Sequence, residues 1–512
     1  MLLTATAVVV ALWAVADIAV STVFLSNVSH VSGAWMVLAR DLAEGTLYRP
    51  LFDPVGGYGG TRFMPLFFSL HAVLIRLGAP VIPAGIALSL VSGLALLGSV
   101  IALLRIRGVR GLTVLLAVAA LLSFLRIREG FTNIRGDLLP IVFAVCGACV
   151  FLRARSAVTG DVSPSLPSRR RLIRLAAAGL FFALAFLTKI TSLFALAAAV
   201  SAAALEAALD PVSRRSALAD ALVTGGVFLV ASAAGLVLTQ LFSAGSFLET
   251  FRMSAAGGAR ELTPWSILRG GLGGLKWQWE SNQVSFRVVL VLGSALMAWQ
   301  GWRLLRGASR SLSFEAFLLF YTLVGTVIIL SSPGAAANHL VDLMVAGVLL
   351  LAVSLDDAVA RLAGQRSVSL AAPVVLAGVA LLGMRTNVPI LLDRRDLRPE
   401  YEALAAAVLS DRRLLAENPA VLIHAGKEAR VLDTFMLRVI RERDPDVSSF
   451  FIDEIRAGVY DALLLFEPQD AAGRLYLERM HFGPGFREAL AHSYERHETI
   501  GTTAVFRPRA LP

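Results

Sequence analysis

Long apolar runs separated by short, arginine-bearing bridges dominate residues 1–385. They fall near 2–25, 63–78, 81–104, 111–127, 138–152, 172–188, 190–208, 219–243, 286–302, 313–331, 340–355 and 369–385. A helix needs roughly 17–25 mostly apolar residues to cross the hydrocarbon core of a bilayer. The segment 63–78 is the weakest of the set and carries Ser69, His71 and Arg76, so it reads as a helix lying in the interface. The pattern predicts about eleven transmembrane helices plus interfacial helices. The first run has no basic n-region and no small-residue cleavage site before the polar loop, and is expected to stay as a membrane anchor.

Arginine placement orients these spans, because cytoplasmic loops are enriched in Lys and Arg. Arg105, Arg107 and Arg110, then Arg153 to Arg174, Arg214 and Arg215, Arg303, Arg306 and Arg310, and Arg361 and Arg366 mark cytoplasmic turns. With the N-terminus also cytoplasmic, the segments 26–62, 127–137, the turn at Lys189, 244–286 and 332–339 face outward, as does everything after Arg385. There the pattern becomes mixed and charged. Strands are expected at 420–424, 429–432, 460–467 and 503–508, with helices at 398–416, 434–443, 448–457, 470–480 and 485–494. The chain thus divides into a transmembrane domain, 1–385, and a small extracytoplasmic α/β domain, 386–512, without a phosphate-binding glycine fingerprint. The stretch 156–168 reads as a flexible cytoplasmic linker.

Composition sharpens this picture. With 56% hydrophobic and 16% charged residues and a mean hydropathy of +0.71, the chain is a polytopic membrane protein. The net charge of +10 is spread over the bridges between spans rather than gathered in a patch, which excludes nucleic-acid binding. Cys146 and Cys149 form C-x-x-C inside an apolar run, where two small buried side chains are expected rather than a redox pair.

Candidate chemistry gathers in the outward segments. Segment 26–62 carries His30, Arg40, Asp41, Glu44, Tyr48, Arg49, Asp53 and Arg62, with Tyr58 among glycines 56, 57, 59 and 60 that permit close backbone approach to a ligand. Segment 127–137 adds Arg128, Glu129, Asn133, Arg135 and Asp137, while separate turns add Lys189, Asn338 and His339. Each has a plain structural reading as well. Asp137 can cap the helix that follows, Arg62 and Lys189 can snorkel to lipid headgroups, and Asp41 with Glu44 and Arg40 can form the polar face of an amphipathic helix. His30 can be a solvated loop histidine, and Asn338 and His339 can serve the turn. Asp17, inside the first span, reads as a polar contact between helices. In 244–286, Trp265, Trp277 and Trp279 beside Arg260, Arg269 and Lys276 form either an interfacial belt or a lid made mobile by Gly270, Gly271, Gly273 and Gly274.

Four motifs, GAWMVLARDLAEGTLYRP with the later TRFMPLFF, NIRGDLLP, LAFLTKITSLFAL and AANHLVDL, carry a resemblance to the integral-membrane glycosyltransferases of the GT-C superfamily. That group includes the protein O-mannosyltransferases and the lipid A aminoarabinose transferase. The resemblance implies a polyprenyl-phosphate-linked sugar as donor, a lipid, glycan or protein hydroxyl as acceptor, and residence in a bacterial plasma membrane with the C-terminal domain outside. It names no certain cofactor and no metal ligands. Carried over by position, Arg62 and Lys189 hold the donor phosphate and Asp137 is the acidic residue at the start of an outward span. Where the family usually places a catalytic aspartate, this chain has His30, a residue able to act as a base near neutral pH. The implied site is His30, Asp137 and Asp41 for catalysis, with Arg62, Lys189, Arg135, Tyr58, Asn338 and His339 for substrate. A lipid-linked-sugar transporter and an inactive glycolipid-binding scaffold are the rival readings. A transporter predicts pseudo-symmetric halves, broken helices and midplane charges, none of them evident in the sequence.

Overall fold

The computed structural model of the protein describes residues 1–156, 168–254, 263–281, 283–309, 311–332, 334–361, 370–466 and 477–509. Most of the 156–168 linker, Arg260, Arg310, Arg366, the Arg361 side chain, residue 467 and the first part of the 470–480 helix lie outside the described residues.

The membrane part comprises α1 (Leu2–Phe24), α2 (His30–Ala43), α3 (Pro65–Arg76), α4 (Val81–Ile106), α5 (Gly111–Ser123), α6 (Leu125–Thr132), α7 (Leu139–Ser156) and α8 (Arg169–Thr188). After these come α9 (Phe194–Leu209), α10 (Arg214–Phe242), α11 (Ser246–Ser254), α12 (Pro264–Ser281), α13 (Val284–Leu305), α14 (Phe314–Leu330), α15 (Val341–Arg361) and α16 (Ala371–Leu392). Among the described residues, eight helices are long and apolar enough to cross a membrane, or nine if the bent pair α5–α6 counts as one span. The expected eleven also count α9 and α14, shorter apolar helices of 16 and 17 residues, about 24–26 Å long. Helix α3, with 12 residues, spans about 18 Å and is shorter still.

Buried charge explains the 75° bend between α5 and α6. The helix breaks at Phe124, which is extended, and the next turn brings Arg128. Its guanidinium Nε donates to Asp17 Oδ2 at 2.6 Å and lies 3.9 Å from the Trp13 ring. Arg394, just beyond α16, reaches the same carboxylate from the other side. Asp17 is therefore the interhelical polar contact expected of it, tying α1 to α6 and to the end of α16. Cys146 and Cys149 are free thiols on α7.

Leu397 N–H donates to Phe24 O at 2.9 Å, which puts the exit of α1 and the entry to the C-terminal domain on one face. That domain holds α17 (Arg398–Ala407), β3 (Leu414–Ala416), α18 (Pro419–His424), α19 (Thr434–Arg441), α20 (Pro445–Arg456), β4 (Ala462–Phe466), a π-helical turn (Leu477–His481), α21 (Phe486–Ser493), β5 (Tyr494–Ile500) and β6 (Thr503–Pro508). The sheet order is β3-β4-β6-β5, parallel between β3 and β4 and otherwise antiparallel. The α/β class stands, but some element assignments change. The expected strand 420–424 is helix α18, because Pro419 starts it and the Asn418 side chain accepts from Ala420 N–H. The expected helix 398–416 stops at Ala407 and its tail is strand β3. The expected strand 429–432 is a single bridge, Tyr58 to Val431. The last apolar helix also runs past 385, to Leu392.

That bridge belongs to the hairpin β1 (Phe52–Asp53) and β2 (Gly57–Tyr58), which is clamped to the C-terminal domain. Tyr58 N–H donates to Arg430 O at 2.7 Å, and Leu432 N–H to Tyr58 O at 3.0 Å. Gly57 has φ +83° and a Cβ there would stand 2.1 Å from Arg430 O, so only glycine fits.

Candidate functional site

Chain ends from separate helices meet at one carboxylate. Asp137 lies just before α7, Lys189 caps the C-terminus of α8, and Asn338 sits in the 3₁₀ turn Ala337–Leu340 that leads into α15. Lys189 Nζ and Asn338 Nδ2 both donate to Asp137 Oδ1 at 2.9 Å. Burial alone would raise the Asp137 carboxyl, but Lys189, Arg135 and the Asn338 amide outweigh it and hold it at about 2. The group is therefore a carboxylate at neutral pH. Lys189, Asp137, Arg62 and Arg135 all act electrostatically on His339.

Arg135 donates through Nη2 to Ser29 Oγ at 2.8 Å, and its buried Nε has no acceptor among the described residues. Asn133 is fixed beside it, its side-chain oxygen accepting from Ser32 Oγ at 2.7 Å. Arg62 leaves the glycine-rich segment with one long hydrogen bond, Nη2 to Gly334 O at 3.3 Å, and stacks on Phe435 at 4.8 Å from the ring centroid. The charge of Asp433 acts on it, and that carboxylate caps α19 by accepting from the amides of Phe435 and Met436. Burial pushes the Asp433 carboxyl upward, against Arg62.

His30 is the first residue of α2, and its ring lies 5.1 Å from that of His481 in the C-terminal domain. Burial, then His481, Arg135 and Arg62, lower its pKa to about 3. A neutral imidazole of that basicity is a weak proton acceptor, so the surroundings work against the expected role as a base near neutral pH. His481 Nδ1 pairs with Glu417 Oε1 at 2.6 Å, and Glu417 Oε2 accepts from Phe466 N–H at 2.7 Å. Glu417, Asp433 and His481 escaped the sequence reading, because nothing local marks three residues far apart in the chain as neighbours of His30 and Arg62.

Two expected site residues lie elsewhere. Asp41 forms a bidentate pair with Arg49, at 2.6 and 2.7 Å, and Arg49 also reaches Ala429 O at 2.6 Å. The charges acting on Asp41 are those of Arg49, Arg40 and Glu428, so it serves the contact with the C-terminal domain rather than the Asp137 cluster. Tyr58 is fully buried and its hydroxyl donates to Glu454 Oε2 at 2.9 Å. The glycines of α12 also have a packing role. A Cβ at Gly271 would stand 2.0 Å from Val327 O and one at Gly274 2.8 Å from Leu330 O, so they let α12 lie close against α14 rather than loosen a lid. Trp265 and Trp277 on that helix are exposed, as an interfacial belt requires. Among the described residues, no three His, Cys, Asp or Glu side chains converge in the manner of a metal site.

No protein-family profile and no curated protein sequence matches the chain. Solved structures do. An oligosaccharyltransferase from Archaeoglobus fulgidus, solved in complex with Zn and sulfate, aligns with TM-score 0.55 and 13% identity over 97% of this chain and 72% of that one. The oligosaccharyltransferase AglB of the same organism, in complex with an inhibitory peptide and a dolichol-phosphate, aligns at 0.53 and 13% over 99% and 74%. ArnT from Cupriavidus metallidurans, bound to undecaprenyl phosphate, aligns at 0.52 and 15% over 99% and 97%. At this identity the likeness speaks to architecture: the chain is an integral membrane protein that shares the overall fold of these three structures.

Proposed function

We propose that this protein is a glycosyltransferase that takes a sugar from a polyprenyl phosphate at the extracytoplasmic face of a plasma membrane and delivers it to a hydroxyl of a lipid, glycan or protein. One observation carries the reading: Arg62, Arg135 and Lys189, on three separate elements, converge with Asp137 and Asn338 at the ends of apolar helices. A prenyl chain can remain in lipid there while its phosphate meets fixed cations. The solved relatives bound to undecaprenyl phosphate and dolichol-phosphate support the same ligand class.

In the proposed reaction the acceptor oxygen bonds to the anomeric carbon, and the bond from that carbon to the donor oxygen breaks with its electrons passing to the phosphate. The hydroxyl proton goes to the released phosphate. Since neither His30 nor Asp137 is strongly basic in its surroundings, the chain contributes mainly by stabilising the charge that grows on the leaving phosphate. Asp137 holds Lys189 and Asn338 in place for this. The arginines at the opposite helix ends, Arg105, Arg153, Arg214 and Arg303 among them, support an outward-facing site and C-terminal domain. Charges at helix ends rather than at the midplane favour an enzyme over a transporter.

The reading is tested by binding a polyprenyl phosphate to the protein in nanodiscs. Arg62→Ala and Lys189→Ala are each expected to weaken it by roughly tenfold or more, the weight of a charge-assisted hydrogen bond. Unchanged affinity in both folded variants removes these residues from the site.

A further inference from the structure

At the far ends of the helices from the Asp137 cluster, α8 and α10 begin side by side. A Cβ at Gly179 would stand 2.5 Å from Thr224 O, and each of these residues lies the same distance along its helix, so the two starts are level. The carboxylates there are already committed. Arg155 pairs with Glu206 and lies 3.6 Å from Asp220, and Arg171 donates to Asp220 Oδ2 at 2.7 Å and to Ser216 Oγ at 2.6 Å. Arg169, Arg170 and Arg174 on α8 and Arg214 and Arg215 on α10 are left exposed. Among the described residues the side chains of Arg169, Arg170, Arg174 and Arg215 make no ion pair or hydrogen bond, and Arg214 gives only Nε, to Ala207 O at 3.1 Å. Helical spacing sets exposed apolar side chains beneath them, Ile173 and Leu180 on α8 and Leu218, Leu222 and Leu229 on α10. A cation at the start of a helix is opposed by the helix dipole, and neither first turn holds an acid to offset it. These arginines therefore do not serve their own helices. Arg303 and Arg306, on the same side of the membrane, do: they stand at the end of α13, where the dipole favours a cation, and stack on Trp299 and Trp302 at 5.0 and 5.4 Å.

We propose that the outer faces of α8 and α10 bind acidic phospholipid from the leaflet opposite the Asp137 cluster, with its phosphate on the arginines and its acyl chains along the apolar stripes. Charge complementarity selects the occupant. Uncompensated cations at headgroup level attract a headgroup of net negative charge and gain nothing comparable from a zwitterionic one, and the stripe below them suits acyl chains. No residue of the proposed sugar-transfer site takes part, so the two readings stand or fall separately.

The test is native mass spectrometry of the full-length protein released from nanodiscs made of equal parts phosphatidylglycerol and phosphatidylcholine, counting the lipids that stay bound. The wild type is expected to retain phosphatidylglycerol over phosphatidylcholine by about tenfold or more. Arg170→Gln with Arg215→Gln removes one arginine from each face and is expected to lower that ratio about fivefold, while Arg303→Gln with Arg306→Gln leaves it unchanged. Thermal unfolding checks that each variant is folded. If the Arg170 and Arg215 pair does not fold, the single variants replace it, each expected to lower the ratio by about twofold to threefold. A wild type without preference, or a ratio unmoved by the Arg170 and Arg215 changes, overturns the proposal. So does an equal fall in the Arg303 and Arg306 variant, which would make the preference a property of the whole basic face rather than of α8 and α10.

Discussion

Replacing Lys189 with methionine keeps most of the side chain's bulk and removes the cation that does most to hold Asp137 ionised. In the folded protein burial favours the neutral acid, yet Lys189, Arg135 and Asn338 keep the carboxyl at about 2 against an ordinary 3.8. A group depressed on folding contributes its stability in full above the unfolded value and loses it as pH falls through the folded one. At ~1.36 kcal/mol per pKa unit, the Asp137 surroundings are worth about 2 kcal/mol at pH 7. Lys189→Met leaves a buried carboxylate with fewer partners and is expected to cost about 2–4 kcal/mol, towards the lower end for a broken buried pair because Arg135 and Asn338 remain. Asp137→Asn strands Lys189 in turn. The double variant is expected to lose about 2 kcal/mol less than the sum of the single losses. Denaturant or thermal unfolding in one detergent, run on all four proteins at pH 7 and again near pH 3, reads the coupling. It is expected to shrink at the lower pH, inside the window between the unfolded and folded values. Additive losses within about 0.5 kcal/mol, or a coupling equal at both pH values, refute the reasoning.

Three further outcomes follow from the geometry. His30→Gln is expected to leave the shape of the pH–rate profile unchanged between pH 8 and 5, because the imidazole titrates near 3; a limb near 6.5 that vanishes in the variant restores His30 as the base. Asp17→Ala removes the shared carboxylate of Arg128 and Arg394 and is expected to destabilise the membrane part by about 3–5 kcal/mol, measured by unfolding in detergent. Gly57→Ala drives a Cβ onto Arg430 O and is expected to undock the hairpin, seen as faster proteolysis of residues 49–62 while the transmembrane helices stay protected.

The membrane part was legible because its signals are local. Apolar length marks helices, and arginine bias tells which helix ends share a face, so the sequence puts Asp137, Lys189, Arg135, Arg62, Asn338 and His339, among other outward residues, on one side of the membrane. Partner choice was not legible. Asp41 carries the same sequence signals as Asp137, yet Arg49 captures it across a turn. His30 looks like a neutral-pH base until burial and the His481, Arg135 and Arg62 charges are placed around it. In the C-terminal domain the short apolar runs 414–416 and 420–424 do not reveal their period. The Asn418–Pro419 start signal distinguishes them, and periodicity alone passed over it.

The most direct test of the central claim is sugar transfer itself. Purified protein in proteoliposomes is given a polyprenyl-phosphate donor carrying a radiolabelled sugar, with membrane extract as the source of acceptors, and the label that leaves the donor is followed. The account predicts transfer by the wild type and a loss of about 10²–10³-fold in Lys189→Ala, the weight of one fixed charge-stabilising donor. No transfer from any polyprenyl-linked sugar, or equal rates in the wild type and Lys189→Ala, would contradict it.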